Sequence, residues 1–278
     1  ENTFKNLTYF LVPKEYRGLT RQRNYGVDKA SETSDMIAFV DDDTELTPNY
    51  FEELVRTFVA DKTIFGVGGV ALNENSWVLA EPNKQYNKYH FFQFDKFVYK
   101  EGQRNVVRNY LRLQSNLEPG KMPDYSHGRT CGFPLDGKIY KVDLLIGMSF
   151  AFRKIVFDSI QFSSYFEGYG LYEDADFSIR ALQFGSNVIN TKVQLNHYHD
   201  ASGRPNQYQY GKMVVRNGWY VWRTKNPTPT FTHQFKWHSI TILLTLIRFS
   251  NTFTTHKRKQ ALTEALGRTV GWWSLIFN

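Results

Sequence analysis

The chain has 278 residues, 41% of them hydrophobic and 17% aromatic, with a formal net charge of +7. That length supports one large or two modest domains with a real core, and the composition excludes a disordered or collagen-like chain. A single cysteine, Cys131, excludes an internal disulfide and fits a reducing compartment. The surplus of positive charge suits an anionic partner, whether a sugar nucleotide, a phospholipid surface or a nucleic acid. The longest apolar run, residues 240–247, falls short of the roughly 20 residues that a membrane-spanning helix needs.

Residues 6–12, NLTYFLV, read as a strand ended by Pro13. From Thr20, a suitable cap, residues 20–32 read as a helix with Arg23, Val27 and Ala30 on one side. Met36–Val40 is a short apolar run bounded by polar residues, the pattern of a covered central strand. The order strand, helix, strand favours a parallel pair joined by a right-handed crossover. Asp41, Asp42 and Asp43 then stand at the carboxyl end of the second strand, the edge where open α/β sheets bind ligands. Three adjacent carboxylates repel one another unless a cation is near, which points to a hard divalent ion, Mg2+ or Mn2+. Two other readings stay open at this stretch. Aspartates also begin turns, and Asp41, Asp43, Glu45 and Glu52 fall at positions one, three, five and twelve of a helix–loop–helix calcium loop, although Leu46 stands where that loop needs glycine.

Thr47 as cap and Pro48 in the first helical position begin the next helix, with Phe51, Leu54, Val55, Phe58 and Val59 as its apolar stripe. Residues 64–72 read as a strand whose glycines permit close packing. Residues 81–129 are polar, basic and rich in Tyr and Phe, and read as a helical or looped insertion. Residues 144–152 return to strand and 153–160 form a short helix. A glycine turn, Gly168 to Gly170, then delivers Glu173, Asp174 and Asp176 to the start of a helix that Gly185 ends. Acids at a helix start also serve the helix dipole alone. Arg180 beyond Asp176 reads as an ion pair across a turn.

Residues 187–199 alternate as a strand, with Val193, Leu195, His197 and His199 on one face. Two imidazoles so placed can converge on one metal, or one can bind while the other supports it. From residue 207 the chain is helical and aromatic. Residues 233–253 are amphipathic, followed by the basic His256, Lys257, Arg258 and Lys259 and by Trp272, Trp273 and Ile276. Such a tail suits an interfacial membrane helix or a helix packed on its own domain.

Taken in order over residues 7–202, these pieces resemble the family 2 glycosyltransferases, which have the GT-A fold. The motifs are GLTRQRNYG from Gly18, the Asp-x-Asp pattern within FVDDD from Phe39, GMSFAFR from Gly147, the Glu-Asp pair at Glu173 and Asp174, and His197 five residues before Ser202. The resemblance implies an α/β fold with a mostly parallel, Rossmann-like sheet flanked by helices. Residues 1–206 would form the catalytic domain and residues 207–278 a helical extension. It also implies that the family's first strands, which hold the nucleotide base, precede Asn6, so the chain is expected to be a fragment of a longer enzyme.

The activity it implies is inverting transfer of a sugar from a nucleotide-sugar donor to a hydroxyl of a glycan or lipid-linked acceptor, with Mg2+ or Mn2+. In that scheme Asp43 is the main metal ligand, with His197 or His199 completing the set. Asp41, Asp42 and Arg23 face the nucleotide, and Asp174 is the general base with Glu173 alongside. A non-catalytic glycan- or nucleotide-binding relic of the same fold is the alternative. A cytoplasmic enzyme, peripheral on the inner face of the cell membrane and without a nucleic-acid partner, is the expected setting.

Overall fold

The computed structural model describes residues 6–129, 132–166, 168–199 and 205–276. Cys131 and Ser202, each weighed in the sequence, lie outside the described residues. A first helix α1 (Leu19–Lys29) leads to β1 (Met36–Val40), and the short β2 (Thr44–Leu46) follows the aspartates. Next come α2 (Tyr50–Ala60), β3 (Ile64–Ala71) and a group of β4 (Val78–Leu79), β5 (Phe91–Phe94), β6 (Phe97–Lys100) and α3 (Gln103–Tyr110). The strand-bearing part of the chain closes with β7 (Ile139–Val142), β8 (Ser149–Arg153), α4 (Glu173–Ala181) and β9 (Ser186–His197). Three long helices, α5 (Gln207–Lys225), α6 (Phe231–Thr254) and α7 (Arg258–Trp273), complete it.

The main sheet has the order β1-β8-β3-β9-β2, with β7 also on β9. It is an α/β arrangement, a central sheet between helices with a helical C-terminal region. Strands β1, β3 and β9 run the same way, but only β3 and β9 are direct parallel neighbours. β8 is antiparallel to both β1 and β3, and β2 and β7 lie antiparallel along successive lengths of β9. The sheet is therefore mixed rather than mostly parallel, because β8 lies between β1 and β3 in the opposite sense.

The alternation along β8 explains how the sheet is covered on both faces. Phe150 and Phe152 point into one core with Phe177 of α4, while Ala151 points into the other with Leu54 and Phe58 of α2. The glycines of β3 make room for these rings: a Cβ on Gly66 would sit 2.7 Å from the Phe152 ring, and one on Gly68 3.1 Å from Leu145.

Several expectations give way. Residues 6–12 form no strand, and β1 pairs with β8 instead of completing a parallel unit with them. Tyr9 and Leu11 are 80% and 75% exposed, so apolar character here has no sheet face to cover. Helix α2 starts later than expected, with Asn49 as its cap, and rotates so that Tyr50, Leu54, Thr57 and Phe58 are buried. Phe51, Val55 and Val59 face outward. The insertion at 81–129 is not only helix and loop: Phe91–Phe94 and Phe97–Lys100 pair as a hairpin closed by Asp95 and Lys96, with Asp95 at φ 51°. Aromatic-rich runs on either side of a two-residue turn carry the strand preference that overall polarity hides. The expected strand over 144–152 is confined to β8, and the segment after it is a 3-10 helix, Lys154–Asp158.

The C-terminal helices share a core with the preceding half. Trp222 and Trp237 are buried with Met122, Leu144, Phe166 and Ile179. Helices α5 and α7 meet backbone to backbone, for a Cβ on Gly267 would lie 2.0 Å from the Tyr208 carbonyl oxygen and one on Gly211 2.2 Å from that of Glu264. Trp222 is fully buried and its indole N–H donates to the Asp124 carbonyl at 3.0 Å. Trp222→Ala is expected to lower unfolding free energy by about 3–5 kcal/mol in urea titrations, whereas Val59→Ala on the exposed face of α2 changes it by less than about 0.5 kcal/mol.

Candidate active site

The parallel sense of β1, β3 and β9 brings their carboxyl ends to one edge of the sheet. Asp41 and Asp43 follow β1, Asn73 and Glu74 follow β3, and His197 ends β9. The short β2 fixes the register by pairing Thr44 with His197, and the Tyr198 amide donates to the Asp43 carbonyl at 2.9 Å. Asp41 is anchored through its own amide, which donates to the Met148 carbonyl at 3.1 Å just ahead of β8.

His197 sits between two sets of acids. Its Nε2 is 3.3 Å from Asp43 Oδ1, and its Nδ1 is 2.7 Å from Glu74 Oε1. Ligand atoms of Asp41, Asp43 and His197 lie within 4.8 Å of one another, and so do those of Glu74, His197 and His199. His199 thus reaches the acidic cluster only through Glu74, at 2.8 Å, with its ring 4.1 Å from that of His197. It stands past the end of β9 at φ 54°, off the strand face on which the alternation sets it. Asp42 is exposed and outside both clusters.

Glu74 is the site residue that sequence reasoning passes over. The available signal was its position just beyond β3, the strand that lies beside β9. Asn73 reinforces that placement, since its side chain exchanges hydrogen bonds with the backbone of His197 at 2.7 and 2.9 Å.

Beneath the aspartates lies Arg23, 7% exposed. Its guanidinium is paired with Glu173, stands 3.4 Å from Asp41 Oδ1 and donates to the Gly147 carbonyl at 3.1 Å. It also lies over the rings of Phe150 and Phe162, at 4.8 and 5.4 Å. Arg23, expected to face the nucleotide, is thus buried beneath the aspartates with its guanidinium engaged by Glu173, Asp41 and Gly147.

The two acids of the Glu-Asp pair have different environments. Glu173 is 3% exposed, and burial pushes its carboxyl up to about 8 although Arg23 opposes the shift. Asp174 is only half-buried, with one oxygen accepting from the Gly147 amide at 2.9 Å and the other from the Ala175 amide at 2.8 Å. Gly147 is therefore held through both sides of its peptide, and a Cβ there would meet Arg23, Asp174 and Glu173 at 3.2–3.3 Å. Burial likewise raises the Asp41 carboxyl, with Arg23 opposing it and Asp43 adding to it. Asp176 takes no part in the cluster: it is fully buried and bound by Arg180 at 2.6 and 2.9 Å, the expected ion pair across a turn.

An acidic and imidazole cluster at the carboxyl edge of a mixed α/β sheet, with a second carboxylate pair beside it, is suited to holding a cation next to a base. Residues 2–120 match the family described as Glycosyl transferase family 2. The match covers less than half of the chain and makes this stretch similar to that family. The match supports a glycosyltransferase, an enzyme class whose substrates are in general a nucleotide-sugar donor and an acceptor. No curated protein matches the chain. The matched stretch contains Arg23, Asp41, Asp43 and Glu74 but ends before Asp174 and His197, so the roles of those two in this glycosyltransferase rest on their geometry. No helix among the described residues is long and apolar enough to cross a membrane.

The buried pair under the site generates a stability test. Arg23→Met leaves the buried Glu173 carboxyl, which burial already favours in its neutral form, without the donor it accepts from, and is expected to cost about 1–3 kcal/mol in denaturant unfolding. Adding Glu173→Met, which removes the orphaned acceptor, should restore a substantial part of that loss. A double variant no more stable than the single one would show that the pairing is not what matters.

Proposed function

We propose that this glycosyltransferase carries out metal-dependent, inverting transfer of a sugar from a nucleotide-sugar donor to a hydroxyl of a glycan or lipid-linked acceptor. The observation that supports this reading is the convergence of Asp41, Asp43 and His197 on one point of the same sheet edge that carries Asp174. Two carboxylates and one imidazole form a donor set that fits Mn2+ better than Mg2+, because nitrogen ligation suits the softer ion. When bound, such an ion stabilises the negative charge that develops on the leaving diphosphate.

The residues divide the remaining work. Glu74, accepting from His197 Nδ1–H, fixes the tautomer in which Nε2 keeps its lone pair towards Asp43. His199, on the far side of Glu74, supports that carboxylate. Asp174 acts as general base, removing the proton from the acceptor hydroxyl as its oxygen attacks the anomeric carbon. Glu173 is too deeply buried and too closely tied to Arg23 for that task. Its role is to hold Arg23, and through it Asp41 and the Gly147 peptide. One base and direct attack give a single displacement, and hence inversion. Residues 1–206 make up the catalytic unit, and 207–278 form an extension packed against it.

Exposed Phe231, Phe235 and Phe253 on α6, with Lys236 beside them and the basic run 256–259 after the helix, support docking on an anionic lipid surface from the cytoplasmic side. Flotation with anionic liposomes should recover the protein, and Phe231→Ser with Phe253→Ser should abolish recovery. Equal flotation of both proteins would argue against this surface.

The catalytic reading predicts that Asp174→Asn lowers kcat by about 10²–10⁴-fold while binding of nucleoside diphosphate with Mn2+ stays intact. Glu74→Gln is expected to weaken Mn2+ about 10–100-fold, read directly by electron paramagnetic resonance of the free ion. Full turnover by Asp174→Asn would remove it as the base, and unchanged Mn2+ affinity in Glu74→Gln would remove the positioning role.

A further inference from the structure

Next to the catalytic edge is a cavity of about 220 Å³ that includes Glu74, Met148, Tyr99 and Arg129 in its walls. Tyr99 and Arg129 also line a second cavity, of about 330 Å³, between α3, α5, α6 and α7. This second space has an unusual electrostatic character. Four guanidinium groups, from Arg104, Arg108, Arg129 and Arg268, face it, against the single carboxylate of Glu101.

Two of those cations are matched. Arg129 is paired with Glu101 at 3.0 Å and donates to the Leu117 carbonyl at 2.9 Å, and Arg268 is paired with Glu264 at 2.9 Å. Arg108 is not. It is 8% exposed and donates to Ser126 Oγ at 2.6 Å, and its buried Nε has no hydrogen-bond partner. Among the described residues neither Arg108 nor the exposed Arg104 one turn before it forms an ion pair. The buried Gln114 Oε1 in the same wall is also without a partner.

A guanidinium does not escape burial by losing its proton as a lysine does. Desolvation and the neighbouring Arg129 lower the Arg108 pKa to about 10, which leaves it charged near neutral pH. The same surplus of positive charge, added to desolvation, depresses His127 in this wall to about 4, so the imidazole is neutral and adds no charge of its own. A buried cation with a free donor and no counter-charge is costly unless an anion completes it.

We propose that this cavity is an anion subsite that takes an oxyanion, phosphate or carboxylate, carried by the acceptor. The planar forks of Arg104 and Arg108 suit either group. The location favours the acceptor over the donor. The cavity meets the space beside Glu74 through Tyr99 and Arg129, and Tyr172 in its wall immediately precedes Glu173 and Asp174. Tyr172 is held at φ 70°, with its ring stacked on His127 at 4.8 Å, so the wall and the acids turn together at the start of α4. The proposal deepens the glycosyl-transfer reading by giving the acceptor a chemical class, and rests on that reading for the word acceptor alone.

The test is calorimetric titration of the full chain, free of metal, with inorganic phosphate and separately with glucuronate. At least one probe should bind saturably, and whichever binds names the oxyanion. Arg108→Gln should weaken that binding about tenfold or more and Arg104→Gln by about threefold, as expected for charge-assisted contacts. Arg104 is exposed, so its substitution tests the site even where Arg108→Gln fails to fold. In both variants, nucleoside diphosphate with Mn2+ should bind as in the parent. The proposal is overturned if neither probe saturates, if binding survives both substitutions, or if nucleotide binding falls in step with anion binding, which would assign the arginines to the donor. Loss of nucleotide–Mn2+ binding in the parent chain would instead count against the donor reading, and is measured separately.

Discussion

The buried contact between Arg23 and Glu173 is the constraint on which the rest of the site depends. Four pieces of chain distant in sequence meet at that guanidinium: α1, which carries it; the end of β1, through Asp41; the turn before β8, through Gly147; and the start of α4, through Glu173. Phenylalanine rings from β1, β8 and the loop before α4 close around it at 4.8–5.7 Å and keep water away. Low dielectric strengthens each of these contacts and also makes each one necessary, since an unmatched charge in the same place would be expensive. Asp174 and the acidic cluster are thereby linked through one side chain, which reaches Asp41 directly and Asp174 through the Gly147 peptide.

Strand direction does the rest. Because β1, β3 and β9 point the same way, the residues after each of them arrive at one edge, and the antiparallel β2 and β8 turn the chain back there. Asp43 and His197 are 154 residues apart in the chain, yet they become neighbours because β2 pairs Thr44 directly with His197. The edge so formed is rich in carboxylates, and the Asp41 carboxyl is raised there first by burial and further by its acidic neighbours Asp43 and Asp174.

Much of this was legible in the sequence. The apolar run Met36–Val40 stopping at three aspartates, the glycine turn before Glu173 and Asp174, and the alternation ending in His197 each announce an element end bearing polar groups. Local patterns do not report which elements lie side by side. Glu74 looks like one more loop acid until β3 is known to neighbour β9. Nor does the helical pattern around Arg23 show that its guanidinium is buried against Glu173 of α4. Burial also overrode pattern in α2, where five apolar positions suggested one broad stripe and the sheet selected Leu54 and Phe58 with Tyr50 instead. The strand expected at residues 6–12 shows the converse: apolar character without a backbone neighbour does not make a strand.

The crossing of α5 and α7 at Gly211 and Gly267 has a consequence for how substrate choice is encoded. Arg268 is the residue directly after the closest backbone approach, and its guanidinium reaches the arginine cavity from there. The spacing between two helices, set by the absence of two side chains, thus helps to place that charge in a cavity also lined by α3. If the cavity receives the acceptor, selectivity in this chain is a property of helix packing and not of a loop. It would then drift in evolution through small-to-large changes far from any ligand, and a tail exchanged between relatives would carry acceptor preference with it.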